Sequence, residues 1–166
     1  MLARETVGIG DEPRMESHEL VEAALEQAHA ADVVGTLAAG LETPLGRSWA
    51  NGAELSGGQW QKLALGRAMM RSRPLFLLLD EPTAALDAHA EHLLFERYAE
   101  SARAASSARG AITILVSHRF STVRMADLIL VVDAGRIVEW GTHDELLAAG
   151  GTYADLYRIQ ADAYDS

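Results

Sequence analysis

Leu75-Phe76-Leu77-Leu78-Leu79 runs without a polar break into Asp80-Glu81-Pro82. A continuous apolar run of strand length predicts a parallel strand buried on both faces, where an alternating run would predict one wet face. A second such run stands at Ala111-Ile112-Thr113-Ile114-Leu115-Val116 and ends in Ser117-His118. Ligands of open α/β sheets bind at the carboxyl ends of the strands. That rule singles out Asp80, Glu81 and His118.

The rest of the chain reads as helices and turns around these strands. Gly8, Gly10 and Pro13 predict a loop or fraying end over Met1 to Arg14. Ser17 is placed to cap a helix from His18 to about Ala30, with Leu20, Ala24, Leu25 and Ala28 as its apolar stripe. A shorter helix is expected over Ala31 to Ala38, with His18 and His29 solvated. Leu41 to Glu54 reads as a loop, in which Trp49 either offers a contact or folds back on the core. Ser56 then caps a helix to about Arg71, with Trp60, Leu63, Ala64 and Ala68 on one face, and Pro74 stops it. Asp87 suits the cap of a helix carrying Leu93, Leu94 and Tyr98, with His89 and His92 on its surface. Asp127 to Asp133 predicts a third strand, turned by Ala134-Gly135 into an antiparallel partner, Arg136 to Trp140. Thr142 and Glu145 have capping-box spacing, Gly150-Gly151 breaks the helix they start, and Thr152 opens the last one.

Composition narrows the function. The 166 residues suffice for one domain, and 49% are hydrophobic, enough for a core. A net charge of −10 works against a nucleic-acid partner, which needs a basic face. With no cysteine, thiolate metal sites and cysteine nucleophiles are excluded, which fits a cytosolic protein. No apolar run approaches the roughly 20 residues of a membrane span.

Three groups carry chemistry. Ser56-Gly57-Gly58-Gln59 puts glycines and a hydroxyl at a helix start, where unpaired amides and the helix dipole favour a phosphate. Asp80 can hold a hydrated Mg²⁺ through water, and Glu81 can orient or deprotonate an attacking water. His118 can contact a transferring phosphate. Each group alone is equally at home in an ordinary helix start, turn or loop.

Their order and spacing are more specific than any of them. The set resembles the ATP-binding-cassette (ABC) ATPase domain. Ser56-Gly57-Gly58-Gln59 matches its signature motif, Leu75 to Asp80 its Walker B strand, and Glu81 its catalytic glutamate. Ala85-Leu86-Asp87 matches the D-loop and His118 the switch histidine. Gly135 to Leu146 looks like the end of an exporter-type domain. Arg47 stands where exporters commonly carry glutamate, and Trp60 where arginine is common.

The resemblance implies a fold, a division and partners. The fold is α/β: a partial P-loop NTPase (RecA-like) core with a mostly parallel sheet, plus the ABC α-helical subdomain. Residues 1–72 would be that subdomain, and 73–166 the C-terminal half of the core. Thr43 to Gly52 would face a transmembrane domain. A second ABC ATPase domain would dock head to tail, so that Ser56, Gly57, Gly58 and Gln59 serve the partner's ATP, with Asp87 in the D-loop. The location implied is the cytoplasmic face of a membrane. A non-transport ABC ATPase and a non-catalytic dimerisation module are the alternatives.

One required part is missing from these residues. A P-loop, Gly-x-x-x-x-Gly-Lys-Ser/Thr, cradles ATP phosphates with its amides and lysine, and binds Mg²⁺ through its hydroxyl. The nearest match, Gly52-Ala53-Glu54-Leu55-Ser56-Gly57-Gly58-Gln59, fails at both the lysine and the hydroxyl. The single lysine, Lys62, stands within the signature helix. Met1 is expected to fall just after the family's Q-loop. The expectation is that the isolated chain neither binds nor hydrolyses ATP, and that the absent P-loop strand leaves apolar sheet surface uncovered.

Overall fold

Residues 1–71, 74–81 and 112–164 are described by a computed structural model, with side chains to residue 161. They divide into two units, Met1–Ile114 and Leu115–Ser166.

The first unit begins with a correction. In place of a loop, Ala3–Gly8 form helix α1, followed by a 3-10 segment, Ile9–Arg14. Ala3 and Val7 are fully buried. The Ala3 N–H donates to the Thr43 carbonyl and the Leu45 N–H to that of Met1, both at 2.9 Å. The glycines that suggested a break serve close approach instead. A Cβ on Gly10 would lie 2.0 Å from the Arg67 carbonyl oxygen. Arg67 Nε donates to Thr6 O at 2.9 Å and Arg71 Nε to Gly10 O at 3.0 Å.

Helix α2, His18–Gln27, is capped by Ser17, whose Oγ accepts from the Leu20 N–H at 3.4 Å. It stops before the expected Ala30, and His29 takes a left-handed φ of 50°. Its buried face is Val21, Ala24, Leu25 and Ala28, with Leu20 only half-buried. The two histidines differ. His18 is exposed and lies 3.2 Å from a Glu42 carboxylate oxygen. His29 is not solvated as expected: its Nε2 is buried and has no hydrogen-bond partner among the described residues. Helix α3 covers only Ala31–Gly35.

Helix α4, Gly57–Met69, packs against α1, α2 and the 3-10 segment. Of the stripe expected on it, Leu63 alone is buried; the packed face is Leu63, Leu65 and Gly66, continued by Met70. Trp60 points largely outward. Gly66 permits the contact, since a Cβ there would come within 3.2 Å of Leu25 Cδ2. Small residues at a crossing let helices approach closely; propensity does not reveal which face will do so.

Strand β1, Phe76–Asp80, pairs in parallel with β2, Ile112–Val116. The Ile112 N–H donates to Leu75 O at 3.0 Å. Burial on both faces is not found. Leu79 is 4% exposed, but Phe76, Leu78, Ile112, Ile114 and Val116 are all exposed. Among the described residues each strand has one neighbour, and a two-stranded sheet leaves apolar surface open.

The second unit is built on an antiparallel pair, β3 (Ile129–Asp133) and β4 (Arg136–Gly141). Ile129 faces Gly141 and Asp133 faces Arg136, with an irregularity between Val131 and Val132. Ala134 and Gly135 both have positive φ, 46° and 74°, the requirement of a tight two-residue hairpin turn. Helix α5, Phe120–Val123, follows β2; α6, His143–Ala149, and α7, Thr152–Tyr164, follow β4. Ile129, Leu146 and Tyr153 form the buried core, with Phe120, Val123, Val131 and Leu147 packed on it.

Candidate nucleotide site

The start of α4 is built by a reciprocal cap. Ser56 Oγ accepts from the Gln59 N–H at 3.3 Å, and Gln59 Oε1 accepts from the Ser56 N–H at 2.9 Å. The cap fixes the first turn while leaving the amides of Gly57 and Gly58 without an intrahelical acceptor. Gly57 is exposed, and a Cβ on it would meet nothing within 4 Å. An anion can therefore reach this backbone from solvent, and the dipole of a 13-residue helix favours it there.

In the same unit, Asp80 ends β1 and Glu81 follows it, both exposed. Glu81 takes a φ of 42°, a left-handed backbone that costs a residue with a side chain. Its carbonyl accepts a 2.6 Å hydrogen bond from Gln61 Nε2. Gln61, two residues past Gln59, thus holds the glutamate's backbone from α4. Sequence reading did not single it out, since a polar residue on an exposed helix turn carries no signal of a contact twenty residues away.

Lys62 does not serve a phosphate here. Its Nζ lies 2.7 Å from Asp32 Oδ2 on α3. The Thr43 to Gly52 loop is an ordered turn system: the Gly52 N–H donates to Trp49 O at 2.9 Å, and Arg47 pairs with Glu54. Trp49 is 55% exposed, so of its two readings the outward one holds. Asp87, Ala85, Leu86, His89 and His92 lie outside the described residues.

His118 belongs to the second unit, two residues past β2, and is exposed. Gln160 of α7 reaches the turn it sits in. Gln160 Nε2 donates to His118 O at 2.7 Å, and its Oε1 accepts from the Phe120 N–H at 3.4 Å. The spacing of Tyr153, Tyr157 and Gln160 was a signal that could have found this contact, since it sets all three on one helix face.

The ABC transporter family profile matches residues 3–84. A lipid A-core flippase, ATP-dependent, from Burkholderia orbicola (strain AU 1054) is 48% identical over 143 residues, which cover 84% of this chain and 22% of that protein. The equivalent flippase of Bordetella avium (strain 197N) is 49% identical over 137 residues, covering 82% and 22%. A bacterial Atm1-family ABC exporter solved with ATP bound superposes with a TM-score of 0.77 at 35% identity, over 96% of this chain and 26% of that one. The chain belongs to the ABC transporter family. Its fold is that of an exporter ATP-binding domain, as the motif order implied. This ABC chain spans about a fifth of the length of its flippase relatives. No helix among its described residues is long and apolar enough to cross a membrane.

Tested against ATP and Mg²⁺, the residues present fit in part. The first-turn amides at Gly57 and Gly58 suit phosphate oxygens, and the Asp80 carboxylate is a hard oxygen donor of the kind Mg²⁺ prefers. The 166 residues contain no lysine-bearing glycine loop to hold the phosphates on the Asp80 side.

Proposed function

We propose that this chain forms the C-terminal portion of the ATPase domain of an ABC exporter, coupling ATP hydrolysis to movement of a substrate across a membrane. The observation that carries this reading is the reciprocal cap at Ser56 and Gln59, which opens the helix at Gly57 and Gly58, with Gly57 exposed, toward an incoming phosphate. The amides of Gly57 and Gly58, with Ser56 and Gln59, act on ATP held by a second ABC domain docked head to tail, and Asp87 belongs to the D-loop. Asp80 holds Mg²⁺ through water, Glu81 orients the attacking water and draws its proton, and His118 touches the transferring phosphate. Residues 1–72 serve as the helical subdomain and 73–166 as half of the core. The Thr43 to Gly52 loop, with Trp49 outward, meets a transmembrane partner, which places the chain at the cytoplasmic face. The relatives' names favour a lipid cargo.

Alone, the chain neither binds nor turns over ATP, because its only lysine is paired with Asp32 and no P-loop is present. The test is ATPase activity of the purified 166-residue protein. The expected result is no turnover. Turnover near ~1 s⁻¹, within the usual enzyme range, that Glu81→Gln abolishes would overturn this part of the reading.

A further inference from the structure

The exposed histidine after β2 sits in a turn that makes no regular structure of its own, yet one face of α7 grips that turn at three points. Gln160 spans it from both sides, donating to the His118 carbonyl at 2.7 Å and accepting from the Phe120 N–H at 3.4 Å. A side-chain amide does this in one orientation only, because a carbonyl needs a donor and an N–H needs an acceptor. The ring of Phe120, which opens α5 just after the turn, lies edge-on to both Tyr153 and Tyr157, with centroids 5.1 and 5.4 Å away. Tyr153 is itself buried in the unit's core, and its hydroxyl meets His143 Nδ1 at 2.8 Å. Tyr153, Tyr157 and Gln160 follow one another at four and three residues, so a single helix face carries the whole grip.

We propose that Gln160 is a positioning residue: its amide clips the backbone on both sides of Arg119 and so sets where the His118 imidazole stands. This rests on the reading of His118 as the histidine that meets the transferring phosphate. Backbone clipping of this kind matters because a group misplaced by about 1 Å loses much of its catalytic effect. It also ties the far end of the chain to the reaction: α7 contributes without touching nucleotide.

The test uses nuclear magnetic resonance of the 166-residue chain, following the His118 ring signals and hydrogen exchange at the Phe120 amide. In Gln160→Ala the His118 ring signals shift, and Phe120 exchange rises about three- to tenfold, the factor allowed by losing one ordinary hydrogen bond. Gln160→Glu keeps an oxygen for Phe120 but loses the donor to His118, so it shifts the histidine while leaving Phe120 protected. Arg158→Ala, on the same helix but removing a side chain that donates to Asp155 at 2.8 Å, leaves both signals in place. A His118 ring that keeps its wild-type signals in both Gln160 variants, or that moves as much in Arg158→Ala, overturns the proposal. If Gln160→Ala fails to fold, Gln160→Glu decides alone. These signals need no nucleotide. The ATPase reading fails separately, if His118→Ala leaves turnover unchanged in a full-length ABC exporter of this type that contains this chain and a P-loop.

Discussion

Ser56 and Thr142 carry the same device at two helix starts. Each hydroxyl accepts the N–H three residues on, and the residue there, Gln59 or Glu145, returns a bond to the cap's own N–H. Ser56→Ala is expected to lower stability by about 1 kcal/mol, the usual worth of such a cap, measured as a shift in the urea midpoint. Two carboxylates add a pH dependence to the second unit. Glu139 accepts from the backbone N–H groups of Tyr153 and Thr152 and is held below its ordinary value, chiefly by the Tyr153 bond. Glu145 is held low by the Thr142 backbone N–H. A carboxylate depressed in the folded state stabilises it above the unfolded value and loses that effect as pH falls through the folded one. Stability should therefore fall with acidification below the ordinary carboxylate value of 4.5, and Glu139→Gln should flatten that fall. Denaturant midpoints measured from pH 6 down to about pH 3 check this, the window being that of carboxylate titration. Such caps were legible in the sequence because they depend on residues three apart and on nothing else.

The helical elements show where that legibility stops. The helix starts and breaks marked by Ser17, Ser56, Thr142, Gly150-Gly151 and Thr152 all stand where the residues placed them. The buried face of α4 does not follow from its sequence, because Leu65 and Gly66 become core only through α1, α2 and the 3-10 segment lying against them. The N-terminal stretch was misread for the same reason. Gly8 and Gly10 looked like breakers, but Gly10 is there because the backbone of α4 leaves no room for a side chain. Gly10→Ala is expected to destabilise the first unit by about 1–3 kcal/mol through overpacking against Arg67, read by thermal or urea unfolding. Gln61 and Gln160 escaped notice as long-range contacts always do: each binds a carbonyl 20 or 42 residues away.

Taken as one molecule, the chain carries more apolar strand surface than its described residues cover. Phe76, Leu78, Ile114 and Val116 on β1 and β2, and Leu130, Val132 and Trp140 on β3 and β4, are exposed. Exposed apolar strand surface of this kind drives association. The purified chain should elute at an apparent mass that rises with concentration, and Leu78→Lys should reduce that rise. Size-exclusion chromatography with light scattering measures both; a monomer at all concentrations that unfolds cooperatively counts against the expectation.

The sequence by itself determined the family, the caps, the hairpin and the position of Asp80 and Glu81 at a strand end, since each depends on residues close in the chain or on a fixed order of motifs. Tertiary structure alone decided which faces are covered. A run such as Leu75 to Leu79 states how apolar a strand is, but burial needs a neighbour on each side, and only packing shows whether one is there. It also decided that the capped helix that starts at Ser56 and the glutamate after β1 are joined through Gln61, a contact that no local pattern encodes.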